Sequence, residues 1–408
     1  MNVPLMALAE MQRLTMPFPE GTAVRAWQAE GGRVVGFVGL AVPEEIIHAA
    51  RMLPFRVSAD NDPVPLQDAA SCMPADTCSV ASTILQMVLD GRYDFLDGVV
   101  VSATDEGACR LADNWRMYAP RPYMDSLSLP LKRTEDACAL YLADLEDWRS
   151  RLSEMRGAYI VERDLKRAIV IYNRGRELMQ KLYALRERER PPVTGAEMLE
   201  IVKAATRMPR ERFNDLLESL LAEIESTGRE IRKSARLMVI GSELQNSTWL
   251  EAAEEHDAVV VTDDLCTGTR CCFGRVDTSL SPMEALTRYY LQARSPDAGV
   301  RPAGQSFTHI FEMTSRYRVD GVIARSQRGD PLYAHAGKFL KKEMDDRGIP
   351  MLELEVEYGD GRSDELAARF GAFIERLEGR TAVPARRARA CGVGDGPRAD
   401  SPQGAAGG

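Results

Sequence analysis

The chain has 408 residues, of which 45% are hydrophobic and 28% charged, enough apolar side chain for two or three packed domains. That balance excludes a disulfide miniprotein, a collagen-like repeat and wholesale disorder. The 52 basic and 61 acidic residues leave a net charge of −9, and such a surface repels a phosphate backbone, so nucleic acid is not expected as a partner. Met1 to Met11 contains no Lys or Arg and no h-region with a small-residue cleavage site, so no signal peptide is read and a cytoplasmic location is expected. The longest apolar stretch, Val34 to Pro43, is about half of the roughly 18 residues that a membrane span needs, so no membrane partner is expected. In a reducing compartment the eight cysteines are core residues, reactive thiols or metal ligands.

In chain order, the run from Arg33 reads as an apolar strand, a helix opened by Pro43 with Ile46, Ile47, Ala50 and Leu53 on one face, and a short strand ending at Asp60. A second unit follows, in which Val80, Ile84 and Val88 mark a helix stopped by Gly91 and Gly98 to Ala103 is a buried-type strand. From about Ala137 to Glu225 helical spacing takes over, with Leu165, Ile169, Tyr172, Met179 and Leu182 in one stripe. The charged run Arg186 to Arg190 reads there as a solvated helix end. Strand patterns return at Arg236 to Glu243, Ala258 to Asp264, Val319 to Ser326 and Pro350 to Tyr358. The last helix carries Leu366, Phe370, Phe373, Ile374 and Leu377 on one face. The predicted fold class is α/β, two doubly wound parallel-sheet domains of Rossmann or flavodoxin type joined by a helical segment. The expected parts are residues 1–135, a helical connector at 136–230, a second α/β domain at 231–379, and a disordered tail at 380–408.

Open α/β sheets bind ligands beyond the carboxyl ends of their strands. Three loops lie there: Ser71 to Ser79, Thr262 to Cys272, and Gln327 to Pro331. Cys78 precedes a helix, whose positive end favours thiolate, and Cys266 precedes Gly268, where backbone can approach a ligand closely. Cys109, Cys138 and Cys391 read as unrelated to a site. No C-x2-C pair and no short His-x-His spacing supports zinc, and no phosphate-binding P-loop occurs. Glu45 and His48, at the start of the helix after the first strand, are candidate proton handlers, although a first-turn carboxylate and a satisfied histidine are the commoner reading.

The segments VVGFVGLAVPEEIIHAARMLPFRV, DTCSVASTILQMVLDGRYDFLDGVVV, DLKRAIVIYNRGRELMQKLYALRERERPPVTGAEMLEIV and GSELQNSTWLEAAEEHDAVVVTDDLCTGTR together resemble the 2-hydroxyacyl-CoA dehydratase and benzoyl-CoA reductase subunit family, of the 2-hydroxyglutaryl-CoA dehydratase D-component type. The resemblance runs from about residue 20 to residue 378. It implies a four-iron four-sulfur ([4Fe-4S]) cluster held between two domains by three cysteines, with one iron left open. It also implies a homologous second subunit and an ATP-dependent iron-sulfur activator protein that delivers single electrons. Carried over, the first ligand falls on Cys78 and the second on Cys266, while the third falls on Gly329, which has no thiol. Cys271, and beside it Cys272 or Cys72, are the available substitutes. Another family Cys-Asp pair falls on Thr104-Asp105, and a glycine that usually ends the first helix falls on Arg51. The implied function is an iron-sulfur subunit that eliminates water from a 2-hydroxyacyl-CoA substrate by one-electron reduction of the thioester to a ketyl radical. The alternatives are a subunit of a benzoyl-CoA reductase and a partner subunit without a cluster of its own.

Overall fold

Long apolar runs without alternation bury both faces of a strand, and that is the environment of a parallel sheet covered by helices. A computed structural model describes residues 4–59, 64–130, 132–272, 274–292, 307–327, 331–358 and 360–381. Two helices, α1 (Met6–Thr15) and α2 (Thr22–Ala29), precede β1 (Val34–Val38), α3 (Glu44–Ala49) and β2 (Leu53–Arg56). Then come α4 (Ala69–Cys72), α5 (Ser79–Leu89), β3 (Gly98–Ser102), α6 (Glu106–Tyr118) and β4 (Tyr123–Leu127). The four strands are parallel in the order β2-β1-β3-β4, with Val35 level with Gly98 and Val34 level with Leu53. The edge strand β4, half-buried and of mixed polarity, was not anticipated from the sequence, because YMDSL lacks the apolar run of its neighbours.

Four long helices follow: α7 (Glu135–Arg156), α8 (Glu162–Leu185), α9 (Gly195–Ala205) and α10 (Arg210–Thr227). The second sheet is built from β5 (Ala235–Gly241), α11 (Ser247–Glu254), β6 (Ala258–Asp264), α12 (Pro282–Gln292), α13 (Thr308–Arg316), β7 (Gly321–Gln327), α14 (Pro331–Asp346), β8 (Met351–Val356) and α15 (Asp364–Thr381). Its order, β6-β5-β7-β8, repeats the plan of the first sheet, so in each domain the strand order reverses between the first and third strands. Both halves are therefore doubly wound α/β domains. Among the described residues no helix is long and apolar enough to cross a membrane.

Packing draws remote segments into the helical layer. Leu8 and Met11 of α1, with Leu5 just before it, form an apolar stripe that joins Leu182, Val202 and Leu217, so this segment packs on α9 and α10. Leu286 and Tyr290 of α12 join Trp148 and Leu152 of α7 in the core under β1 and β3. The stripe of α15 is buried as its spacing requires, with Phe370 edge-on to Trp249 at 5.1 Å between ring centroids. The run Arg186 to Arg190 corrects one expectation. Arg186 is fully buried, with its Nη2 donating to Val260 O, because the end of α8 runs directly under β6; only Arg188 to Arg190 are exposed. Residues 382–408, Cys391 among them, lie outside the described residues.

Candidate functional site

The carboxyl ends of the two sheets meet, and the contacts between them are made largely by charged residues at strand ends. Arg56, the last residue of β2, is 5% exposed. Its Nη1 donates to Cys266 O at 2.9 Å and to Cys271 Sγ at 3.3 Å, and its Nη2 donates to Glu243 Oε2 at 3.1 Å. Arg207, after α9, enters the same seam, donating to Ser58 Oγ at 3.1 Å and Gln245 Oε1 at 2.9 Å. Burial lowers the Arg207 pKa from its ordinary value, a cost accepted where all three layers converge. Ala59 N donates to the hydroxyl of Tyr358, beyond β8, at 3.2 Å.

The loop after β6 is shaped by its own polar residues. Thr267 Oγ1 donates to Leu244 O at 2.6 Å and accepts from Leu244 N at 3.0 Å, and Cys266 N donates to Ser242 O, which ties the loop to the one after β5. Asp263 Oδ1 accepts from Thr269 N at 2.7 Å, and Asp263 O accepts from Thr269 Oγ1 at 2.6 Å. Gly268 is required here, since a Cβ on it would lie 1.8 Å from Asp263 Oδ1. Asp264 accepts two hydrogen bonds from Arg270, at 3.0 and 2.9 Å, and lies 3.2 Å from His309 Nε2. Burial opposes its ionisation, but Arg270 and His309 outweigh it and hold the carboxyl well below the usual carboxylate range.

The structure separates the cysteines. Cys266 is 8% exposed and its Sγ accepts from Arg270 Nη1 at 3.5 Å. Cys271 turns back onto the loop, its Sγ 2.7 Å from Cys266 O, whereas Cys272 turns away into the core of α8, α9 and α10. The 3-10 turn Thr269–Cys271 sends these neighbours in different directions. Cys78 immediately precedes α5, and its Sγ lies 3.9 Å from Oε1 of Gln327 at the end of β7, so it faces the other domain. Cys72 is half-buried on α4, Cys138 is buried in the core under β1, and Cys109 is exposed. Asp105, in the Thr104-Asp105 pair, is the N-cap of α6 and accepts from Ala108 N at 2.9 Å. Gly329, with Arg328 and Asp330, lies outside the described residues.

Among the described residues, no three His, Cys, Asp or Glu side chains stand close enough together to hold a metal ion. Of the three positions that the resemblance assigns to cluster ligands, Cys78 and Cys266 carry thiols and Gly329 does not. Glu45 and His48 are placed by other partners. Glu45 is fully buried, ion-paired to Arg176 and 2.7 Å from Tyr290 Oη. Burial would raise its pKa, but Arg176 and Tyr290 hold it below the ordinary carboxylate value. His48 Nε2 lies 3.4 Å from Glu211 and its ring is edge-on to Tyr172. Sequence reasoning named the loops that carry Arg270 and Gln327 without singling out either residue, and it missed Arg56 and Glu243. The one available signal was a charged or amide residue directly after a buried apolar strand, as in LPFR and GVIARSQ.

Comparison with known proteins places these features in context. A family described as 2-hydroxyglutaryl-CoA dehydratase, D-component, matches residues 40–377. The chain is 25% identical over 368 residues to one of the subunits of the benzoyl-CoA reductase of Thauera aromatica, covering 88% of this chain and 94% of that one. It is 22% identical over 360 residues to the (R)-phenyllactyl-CoA dehydratase beta subunit of Clostridium sporogenes, covering 88% and 96%. Against the beta subunit of (R)-2-hydroxyglutaryl-CoA dehydratase of Acidaminococcus fermentans it is 23% identical over 364 residues, covering 87% and 95%.

Proposed function

The chain belongs to the 2-hydroxyglutaryl-CoA dehydratase D-component family, and from that premise we propose that it is one subunit of a complex that acts on a CoA thioester. The relatives are named as subunits of dehydratases and of a reductase, which supports both a homologous partner and an acyl-CoA substrate. Elimination of water from a 2-hydroxyacyl-CoA is the reaction proposed, with electrons delivered by a separate activator protein. Reduction of an aromatic acyl-CoA is the second reading, favoured by the similarity to the benzoyl-CoA reductase subunit.

Within that complex the chain acts as the partner that shapes the site, and the iron-sulfur chemistry belongs to its homologue. One observation carries this assignment: Gly329 brings no thiol to the position of the third ligand. The chain's own residues do mechanical work at the seam. Arg56 and Arg207 tie the two strand ends together, and Thr267, Thr269 and Asp263 hold the cysteine loop in one shape.

Iron and sulfide analysis of the anaerobically purified chain tests the assignment. Fewer than about one iron per chain is expected. About four irons with matching sulfide would overturn it and establish a cluster with a substitute ligand; Cys78→Ser, Cys266→Ser and Cys271→Ser would then each abolish the iron, and Cys391→Ser would not.

A further inference from the structure

The cysteine loop is gripped from the first domain by Arg56, and it is held from behind by a second buried arginine. Arg186 ends α8 and is fully buried beneath β6. One of its nitrogens, Nη2, donates to Val260 O, but Nε and Nη1 have no hydrogen-bond partner among the described residues. The carboxylate in its ion pair, Asp263 Oδ2, stands 3.9 Å from Nη1, too far for a direct hydrogen bond. A small cavity of about 10 Å³ has Arg186, Asp263, Tyr183 and Thr267 on its polar side, and Met198, Leu199, Val202, Val239, Leu250 and Leu265 among its apolar walls. That is close to the smallest space that holds a water molecule, about 10–15 Å³.

The two charged groups that face the cavity select its occupant. A cation is repelled by the guanidinium, and an anion by the Asp263 carboxylate, whereas water accepts from Nη1 and donates to Oδ2. We propose that this cavity binds a single water molecule that joins Arg186 to Asp263, and that Arg186 is thereby a positioning residue for the Cys266–Cys271 loop. The relay continues through atoms already described. Tyr183 Oη donates to Asp263 Oδ2 at 2.8 Å, which leaves the second lone pair of that oxygen for the water. Asp263 Oδ1 then holds Thr269 N at 2.7 Å, midway between the two cysteines of the loop. A helix of the connecting layer thus sets the shape of a loop that faces the other domain. Nothing in this relay requires that the chain carry or lack a metal, so it stands apart from the assignment made above.

Two measurements on the purified full chain test it. A crystal structure at a resolution that shows ordered solvent is expected to place one water within hydrogen-bond distance of Arg186 Nη1 and Asp263 Oδ2; a dry cavity overturns the proposal. Thiol labelling followed by mass spectrometry reads the loop directly. In Arg186→Met, labelling of Cys266 and Cys271 should accelerate about tenfold, while buried Cys138 keeps its rate. The double variant Arg186→Met, Asp263→Asn keeps an oxygen for Thr269 and removes the unpaired charge, so both rates should return to within about twofold of the parent. Equal acceleration at Cys138 would reveal general loosening, and an unchanged rate in the single variant or no recovery in the double would equally refute the role. Should Arg186→Met fail to fold, Arg186→Lys keeps the charge but loses donors, and labelling of the loop about threefold faster than the parent is required of it.

Discussion

Arg51 shows how a single backbone angle carries information that a side chain hides. It follows α3 with a φ of 59°, the left-handed region that favours glycine, and its N–H donates to His48 O at 2.8 Å. The resemblance places a glycine at this position, and the geometry supplies the reason. A side chain there costs about 1–2 kcal/mol, of which the greater freedom of unfolded glycine returns part, so Arg51→Gly should stabilise the chain by about 0.5–1 kcal/mol. A urea midpoint that stays put or falls would contradict this. The cysteines teach the complementary lesson. Cys271 and Cys272 are adjacent and identical in kind, so no local pattern distinguishes them, and the short turn that separates their directions exists only once Asp263 has captured Thr269.

Glu254, at the end of α11, links two helices that a reading of periodicity treats as independent. Its Oε1 accepts from Gly195 N at 2.7 Å and Val260 N at 3.0 Å, and its Oε2 from Ala196 N at 3.2 Å, so it caps α9 from another domain. Burial pushes this carboxyl up to about 7, and the three N–H donors only partly oppose the rise. An acid whose pKa is higher in the folded state binds more protons folded than unfolded. Its contribution to stability is therefore fully present below the unfolded value of 4.5 and is lost as pH climbs to about 7. Glu254→Gln lacks this linkage, so the stability of the parent relative to the variant should decline between pH 5 and pH 8 in denaturant titrations. A constant difference would show that Glu254 does not titrate in this window. Elements themselves were readable where apolar spacing was strong, as in β3, β6 and α15. β4 escaped because its side chains are half-buried and mixed, and α1 because its stripe is short and its partners, α9 and α10, lie about 200 residues away.

Two sheets of the same strand order, joined end to end through a helical layer, make a molecule whose central seam depends on few side chains. Arg56 is the principal one, and its pair with Glu243 is nearly closed to solvent, with side-chain exposures of 6% and 15%. Removing one partner of such a pair strands the other, so Arg56→Ala should cost about 3 kcal/mol and speed hydrogen exchange in the loops after β5 and β6. Exchange in β3 should be unaffected; loops that exchange at the parent rate would show that Arg56 does not hold the seam. The sequence by itself determined the strands other than β4, the main helical stripes and the α/β class, because periodicity and apolar runs are properties of neighbouring residues. It also supplied the family, through motifs kept in order along the chain. Only the tertiary structure decided which cysteines lie at the seam and what engages them. Arg56 and Cys266 are 210 positions apart, and no local pattern in either segment specifies that they touch. Separation along the chain also explains why Arg186 read as solvated: burial of a charge is fixed by what folds over it, here a strand that begins about 70 residues later.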